Sequence, residues 1–314
     1  MRRKKDKDMP ERALIGWIRS RVSLDARKVP IGPGDDMALV AGPSKQTLVA
    51  IDTIAEGVDF VIGQARAEAI GRKALAVNLS DIAAMGALPT WCMASVALRE
   101  GLGGDFAKRL ASGLIKLARK YDCPLVGGDV TGWAGGVVVT VAIGGVPAGK
   151  KPVRRNGARP GDVVFVTGSL GGSILGKHLT FEPRIAEGAW LARNASPSAM
   201  IDISDGLGVD AAHIADESGV GILLDAARIP VSAAARRLAK SSGGTPLDHA
   251  ARDGEDFELL FTARERKAGD IESRWPFKTR LTAIGKVRRG RHVLLETGAA
   301  EKVRIDTEGY EHLG

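Results

Sequence analysis

Seven aspartates stand beside glycines or at the ends of apolar runs in a chain whose net charge is +8. They are Asp35, Asp36, Asp52, Asp81, Asp129, Asp202 and Asp205. A buried carboxylate without a partner is costly, and the segments around these aspartates contain no excess of Lys or Arg to pair them. Any one of them has an ordinary structural explanation, such as a helix N-cap or an Asx turn. Seven together favour a shared divalent cation as the partner.

The ligand type restricts which cation this is. Carboxylate ligands without His or Cys favour Mg²⁺, Mn²⁺ or Ca²⁺ over Zn²⁺. Mg²⁺ usually keeps several waters and connects carboxylates to the phosphates of a substrate. The neighbouring glycines let backbone N–H groups approach phosphate oxygens, and residues 204–206 are predicted to open a helix, whose N-terminus attracts anions. The pattern therefore predicts a site for Mg²⁺ and a nucleoside triphosphate.

Other motifs are weaker signals. Residues 171–178, GGSILGKH, nearly match a phosphate-binding Walker A loop, but His178 stands where the Mg²⁺-binding hydroxyl belongs. We interpret this segment as a glycine-rich helix and loop. Glu255 and Asp256 precede a predicted strand, which alone indicates a polar turn. His213 lies in a predicted helix among core-like neighbours, so a packed or surface residue is favoured over a general base.

Apolar periodicity predicts the elements that must position these residues. Helices are predicted at 12–22, 64–87, 105–121 and 231–242, and strands at 46–52, 90–98, 125–129, 136–146, 162–168, 219–225 and 257–263. Residues 199–207 are predicted to run from strand through turn into helix. The mixture predicts α/β or α+β structure in both halves. A linker rich in Gly, Pro and basic residues at 149–162 places a domain boundary between 1–148 and 149–314.

The positive charge is concentrated in the first dozen residues, which hold six Lys or Arg against three Asp or Glu. This pattern is typical of a solvated tail. Nucleic-acid binding is the sharper alternative, but no aromatic residues that would stack on bases lie among the basic ones. We therefore expect no nucleic-acid partner.

Nothing in the sequence indicates a membrane protein. The tail has no apolar stretch typical of a signal peptide, and the longest apolar run, 137–146, is far short of the ~20 residues that span a bilayer. Cys92 and Cys123 lack metal-ligand spacing and are interpreted as reduced core thiols. These features predict a soluble, cytoplasmic protein.

Six motifs in order resemble thiamine-monophosphate kinase: GDDMALV, KALAVNLSDIAAMGA, LVGGDVT, GARPGDVVFVTGSLG, IDISDGL and GEDFELLFT. The resemblance runs from about residue 12 to Tyr310. It extends to the superfamily of aminoimidazole ribonucleotide synthetase, selenophosphate synthetase and the hydrogenase-maturation dehydratase. It implies a two-domain aminoimidazole ribonucleotide synthetase-like fold, with an N-terminal α/β domain and a C-terminal α+β domain. Strands of the N-terminal domain would pair with a second subunit into a barrel, giving a homodimer.

The resemblance also implies an activity and a role for individual residues. ATP and thiamine phosphate would give ADP and thiamine diphosphate by direct in-line transfer, with several Mg²⁺ ions and no covalent catalyst. The seven aspartates would bind metal, with Asp81 bridging several ions. ATP would contact Gly128, Asp129, Arg155 and Ser204. The thiamine end would meet Asp59, Glu255 and Tyr310.

The sequence departs from the family pattern at several positions. Ala50 and Ile51 replace hydroxyl residues that help to hold metal, and Asp59 replaces the His of an EGVHF motif. Asp253 and Phe257 turn GGEDYEL into DGEDFEL. An ionised Asp59 would pair with the cationic thiazolium or join the metal cluster. Two alternatives stay open: another ATP-using member of the superfamily with a different small substrate, or a paralogue that binds Mg·ATP without turnover.

Overall fold

The computed structural model describes residues 26–27, 30–31, 35–41, 46–298 and 301–306, with only the backbone of Val40 and Ala41. The predicted helix at 12–22, the basic tail and Tyr310 lie outside the described residues.

Five strands form the first sheet, in the order β1-β2-β5-β3-β4. They are β1 (Ala38–Ala41), β2 (Gln46–Ala55), β3 (Ala87–Arg99), β4 (Leu125–Trp133) and β5 (Val138–Pro147). All neighbouring pairs are antiparallel except β3 and β4. Helix α1 (Ala67–Ala84) packs on one face of the sheet, and α2 (Gly103–Lys120) packs on α1.

The close crossing of α1 and α2 explains a glycine inside the predicted helix. A Cβ on Gly71 would lie 1.9 Å from the Leu110 carbonyl oxygen, and one on Gly113 would lie 1.9 Å from that of Glu68. Each glycine therefore lets the other helix's backbone approach, which offsets the roughly 1 kcal/mol that glycine costs in a helix relative to alanine.

Seven strands form the second sheet, in the order β12-β11-β8-β10-β6-β9-β7. They are β6 (Val163–Thr167), β7 (Ala199–Asp202), β8 (Gly221–Asp225), β9 (Leu259–Ala263), β10 (Leu281–Arg288), β11 (Val293–Glu296) and β12 (Lys302–Arg304). The helices of this half are α3 (Lys177–Thr180), α4 (Ile185–Trp190), α5 (Leu207–Ser218), α6 (Ala233–Ser242), α7 (Pro246–Arg252) and α8 (Glu265–Arg274). Only the β8–β11 pair is parallel among the described strand pairs of this sheet.

Helix α1 lies between the two sheets and is buried on nearly every side. Small residues make this possible: α1 contacts both β7 and α4, and a Cβ on Gly188 of α4 would meet the Ala83 carbonyl oxygen at 2.2 Å. One continuous apolar core therefore joins α1 to side chains such as Met200 and Phe261 of the second sheet. Lys73, Asn78 and Ser80 are buried polar residues of α1, whereas the Glu68 side chain at its start is 44% exposed.

The mixed α/β class is confirmed, as are the predicted strands and helices within the described residues, with ends shifted by a few residues. The prediction that a short strand at 125–129 meets a glycine turn is wrong. Strand β4 runs straight through its glycines to Trp133, and every residue of it is exposed. Cys92 and Cys123 are buried and unbridged. No described helix combines the length and apolarity needed to cross a bilayer. The division at residue 148 stays a prediction.

Candidate active site

Three carboxylates from separate elements converge where β7 ends. Asp36 lies two residues before β1, Asp81 lies in α1, and Asp202 is the last residue of β7. Each offers one oxygen, and these oxygens lie within 4.8 Å of one another. Ser80, the neighbour of Asp81, donates a hydrogen bond to Asp202 Oδ2. Several carboxylate oxygens without His or Cys are the donor set that fits Mg²⁺.

The carboxylates of this cluster repel one another strongly when no cation is bound. Burial raises the pKa of Asp81 well above its ordinary range, and the charges of Asp52, Asp202 and Asp36 raise it further. Burial, followed by the charge of Asp36, raises the pKa of Asp202 to about 8. Metal-free, the cluster therefore retains protons near neutral pH, and a divalent cation would displace them.

Arg155 faces this cluster from the segment after β5. Its guanidinium forms a two-point pair with Asp36, from Nε to Oδ2 at 3.1 Å and from Nη2 to Oδ1 at 3.0 Å. Burial lowers the pKa of Arg155, but the carboxylates, Asp36 foremost, raise it by more, so the group stays charged. When all three carboxylates are ionised, one guanidinium leaves most of their negative charge uncompensated, and a nucleotide phosphate near Arg155 would arrive with its own cations.

Asp35 is bound differently from its neighbour Asp36. Its carboxylate accepts hydrogen bonds from the Arg155 amide at 2.7 Å and from Arg154 Nε at 3.0 Å, and it is only 5% exposed. Asp35 thus fastens the segment that carries Arg155. Its role as a metal ligand stays a prediction.

Asp52 lies on β2 and shares the cavity described below with the cluster. Its charge is the first of the neighbouring charges that raise the pKa of Asp81. The residues before it offer no hydroxyl, and the Ile51 side chain is 67% exposed. Asp52 is therefore the one residue at positions 50–52 whose side chain could bind a metal, and its role as a ligand stays a prediction.

A second group of possible ligands lies at the start of α5. Oxygens of Asp205 and Asp210 and a ring nitrogen of His213 lie within 4.8 Å of one another. Asp210 accepts hydrogen bonds from the amides of Asp205 and Gly206, each at 3.1 Å. Burial and then the charges of Asp205 and Asp202 raise the pKa of Asp210. Sequence reasoning did not single out Asp210; its signal was an acidic residue in the first turn after the SDG motif.

A cavity of about 620 Å³ extends from these carboxylates between the two sheets. Its lining residues also include Val58, Asp59, Glu255 and Phe257. Phe257 stacks on Phe181 with ring centroids 4.0 Å apart. The cavity thus contains the carboxylate cluster together with apolar and further acidic groups, and Ser204 lines it as well.

The Asp59 carboxylate is hydrogen-bonded to the nearby backbone. Its Oδ2 accepts a hydrogen bond from the Ala55 amide at 2.8 Å and closes the turn after β2. Lys73, which sequence reasoning missed, donates hydrogen bonds to the Asp59 carbonyl oxygen at 2.8 Å and to Glu255 Oε1. The signal for Lys73 was its spacing of eight residues before Asp81 in one helix. The predicted substrate roles of Asp59 and Glu255 stay predictions.

Asp129 and Gly128 lie apart from the cluster within one chain. Thr53, Thr140, Ser95 and Asp129 are successive partners across β2, β5, β3 and β4. Three interstrand spacings place Asp129 roughly 14 Å from Thr53, the neighbour of Asp52. A Cβ on Gly128 would lie 2.0 Å from the Ala94 carbonyl oxygen, so this glycine permits strand pairing.

The two glycine amides at the start of the Walker-like segment are hydrogen-bonded to carboxylates. The amides of Gly171 and Gly172 donate to Asp256 and Asp253, and Lys177 pairs with Asp256 and Glu258. Its glycines and lysine therefore anchor the loop before β9, as expected for a structural segment.

The comparisons with known proteins agree with this geometry. The family described as AIR synthase related protein, N-terminal domain, matches residues 34–146. The thiamine-monophosphate kinase of Rhodopirellula baltica is 37% identical over 311 residues, covering 96% of this chain and 97% of its own. That of Escherichia coli strain K12 is 35% identical, covering 96% and 98%.

Solved structures give the same result at the level of the fold. A structure of AaThiL complexed with AMPPCP and TMP has a TM-score of 0.84 and 30% identity, covering 98% of this chain and 99% of that one. Thiamine-monophosphate kinase from Stenotrophomonas maltophilia K279a has a TM-score of 0.73 and 34% identity, covering 92% and 96%. The hydrogenase maturation protein HypE in complex with ATP, at 20% identity, covers 95% and 90% with a TM-score of 0.71 and shares the fold alone.

Proposed function

The chain belongs to the thiamine-monophosphate kinase family, and we propose that it phosphorylates thiamine phosphate with ATP to give thiamine diphosphate and ADP. The observation that carries the proposal is the group of Asp36, Asp81 and Asp202 beside Arg155, lining a 620 Å³ cavity. Phosphoryl transfer depends mainly on positioning and on neutralising charge, and carboxylate-bound cations with an arginine supply both.

The proposed reaction is a direct in-line transfer. A phosphate oxygen of thiamine phosphate attacks the γ-phosphorus of ATP, and the bond from that phosphorus to the β–γ bridging oxygen breaks. ADP departs with the electron pair, and no residue becomes phosphorylated. The acceptor is already an oxyanion at neutral pH, so the chain needs no general base.

The chain's own residues would hold the reactants in place. Asp36, Asp52, Asp81, Asp202 and Asp205 would hold the cations. Mg²⁺ ions, when bound, would neutralise the phosphates and draw the two reacting groups together. Arg155 would orient the phosphate chain, Ser204 would contact the nucleotide, and the Glu255 end of the cavity would receive the thiamine moiety.

A ³¹P NMR time course tests the activity. With ATP, Mg²⁺ and thiamine phosphate, we expect the diphosphate resonances of ADP and thiamine diphosphate to grow as those of ATP and thiamine phosphate decline. Excess EDTA should stop the change. Persistence of the starting resonances, with Mg·ATP bound, would contradict the proposal.

One observation favours a second candidate, a paralogue that binds Mg·ATP without turnover. Ala50 and the exposed Ile51 provide no hydroxyl next to Asp52, where related enzymes commonly carry them. The same ³¹P NMR time course distinguishes the kinase from this paralogue. A further alternative, an ATP-using enzyme with another small phosphorylated acceptor, predicts no product from thiamine phosphate but ADP formation with other acceptors.

We also propose a homodimer in which two copies of the first sheet close into a barrel. β1 pairs only with residues 46–49 of β2, so residues 50–55 have no described neighbour on that side, and β4 has none beyond β3. Five apolar residues of this sheet are 44–67% exposed: Ile51, Met93, Val126, Val130 and Trp133. Unpaired, exposed strand edges of this kind are normally covered.

Such pairing would also bring Asp129 to the metal site. If β4 of one copy lies beside residues 50–55 of the other, Asp129 comes next to the second copy's Asp52. The distance of roughly 14 Å within one chain then becomes about one strand spacing. The predicted roles of Asp129 and Gly128 at the nucleotide depend on this assembly.

Replacing Val130 by Asp should disrupt the proposed dimer. Val130 is 66% exposed in the single chain, and a charge there would be buried on assembly. We expect light scattering to give about the 33.0 kDa of one chain instead of twice that mass, with loss of most activity. Val303→Asp, at a 39% exposed position on β12, is the matched control and should change neither. A monomeric, fully active wild type would refute the dimer.

The cytoplasmic location stays a prediction.

A further inference from the structure

Lys73 is a charged side chain with no access to solvent. It is 0% exposed and belongs to α1, the helix that lies between the two sheets. Its ammonium donates to the Asp59 carbonyl oxygen at 2.8 Å and to Glu255 Oε1. A buried ammonium is tolerated only when such partners compensate its lost hydration. Lys73 therefore connects the turn after β2 with the loop before β9.

Lys73 also has a defined place along the cavity. Lys73, Val77 and Asp81 follow one another at intervals of four residues, so they lie close to one side of α1. Val77 and Asp81 line the cavity, and a rise of 1.5 Å per residue separates Lys73 from Asp81 by about 12 Å. The same helix thus carries Asp81 of the cluster and Lys73, whose partners Asp59 and Glu255 line the cavity.

Glu255 is held in an unusual backbone conformation beside Lys73. Its φ is +61°, a left-handed value that non-glycine residues seldom adopt, and its amide donates to the Ser204 carbonyl oxygen at 2.6 Å. The side chain is 29% exposed and lines the cavity. Its second oxygen, Oε2, accepts no hydrogen bond from any residue that the structure describes. Such strain is retained where the surrounding structure fixes a group for a purpose.

We propose that Lys73 is a positioning residue that sets recognition of the phosphoryl acceptor. It binds one oxygen of Glu255 and so directs the other toward the nitrogen-rich, cationic end of the acceptor, while the acceptor's phosphate lies at the Asp81 end. The carboxylate attracts the thiazolium or the aminopyrimidine amine, and Lys73 itself touches neither. This inference rests on the proposed function.

The test compares Lys73→Met, Lys73→Arg and Lys177→Met with the wild type. We expect Lys73→Met to raise KM for thiamine phosphate at least about tenfold, because it removes a charge-assisted hydrogen bond that orients Glu255. KM for ATP should change less than about twofold. Lys73→Arg should recover part of the loss. Lys177 pairs with Asp256 and Glu258 of the same loop but not with Glu255, so Lys177→Met measures the effect of loosening that loop and should raise the KM for thiamine phosphate clearly less than Lys73→Met does.

A double variant separates positioning from general loosening. If Lys73 acts through Glu255, Lys73→Met combined with Glu255→Gln should raise KM for thiamine phosphate no more than Glu255→Gln alone. Additive effects, equal rises in both KM values, or an equal effect of Lys177→Met would overturn the inference. Thermal melts identify variants that fail to fold, and Lys73→Arg then supplies the comparison. A wild type without turnover contradicts the proposed function instead, and calorimetric binding of thiamine phosphate to the same variants still tests Lys73.

Discussion

Asp81→Asn is expected to lower kcat by about 10²–10³-fold or more at saturating Mg²⁺, while the protein stays folded. Asp81 lies between Asp36, Asp52 and Asp202, whose charges all act on it, so its carboxylate is the one best placed to share several cations. An amide keeps the size and one oxygen but loses the charge that binds Mg²⁺. Steady-state kinetics over a series of Mg²⁺ concentrations measure the loss.

The same substitution should have the opposite effect on the metal-free protein. Burial and three neighbouring carboxylates raise the pKa of Asp81, which means that its charged form is unfavourable in the folded state. A neutral amide removes that repulsion, so in EDTA the melting temperature of Asp81→Asn should exceed that of the wild type. Asp270→Asn, in an exposed pair with Arg274, is the control and should alter neither kcat nor melting. Near-normal turnover by Asp81→Asn would show that the cluster is not the metal site.

The carboxylate chemistry of the site could be predicted from the sequence, but its assembly could not. Aspartates at the ends of apolar runs indicated a metal, because few other partners stabilise them. Asp36, Asp81 and Asp202 nevertheless lie far apart in sequence and meet only because α1 packs between two sheets. That packing depends on backbone approaches such as Gly188 against the Ala83 carbonyl, which no single-segment pattern reveals.

Some side chains have partners that no sequence pattern indicated. Asp59 is expected to face a cation, which stays a prediction, and its carboxylate also accepts a hydrogen bond from the Ala55 amide. Lys73 looked like an ordinary helix residue, since its partner Glu255 is 182 residues away. Residues 125–129 were predicted to form a short strand that meets a glycine turn, but the glycines of β4 permit strand pairing as well as turning. In the proposed dimer, the second copy would cover the apolar residues of β4 that are exposed in the single chain.

Without Mg²⁺, the protein is expected to lose stability as the pH rises from 5 to 8. Burial, with the charge of Asp36, raises the pKa of Asp202 from 3.8 to about 8 in the folded state. The folded state therefore binds this proton more tightly than the unfolded chain does. The resulting stabilisation is fully present below about pH 4 and is lost as the pH rises through about 8, at up to about 1.4 kcal/mol per pH unit for one proton.

Mg²⁺ should reverse this trend, because the cation binds the ionised carboxylates and takes the place of the proton. Denaturant unfolding at pH 5, 6, 7 and 8, in EDTA and in excess Mg²⁺, measures both curves, and their separation should widen with pH. Asp202→Asn should flatten the metal-free curve, whereas Asp270→Asn should leave it as in the wild type. Metal-free stability that holds level or increases between pH 5 and 8 would refute the coupling. If the stability difference between the Mg²⁺ and EDTA curves widens with pH, repulsion among the ionised carboxylates favours cation binding. This repulsion would then give the site its affinity for the cations that the proposed transfer requires.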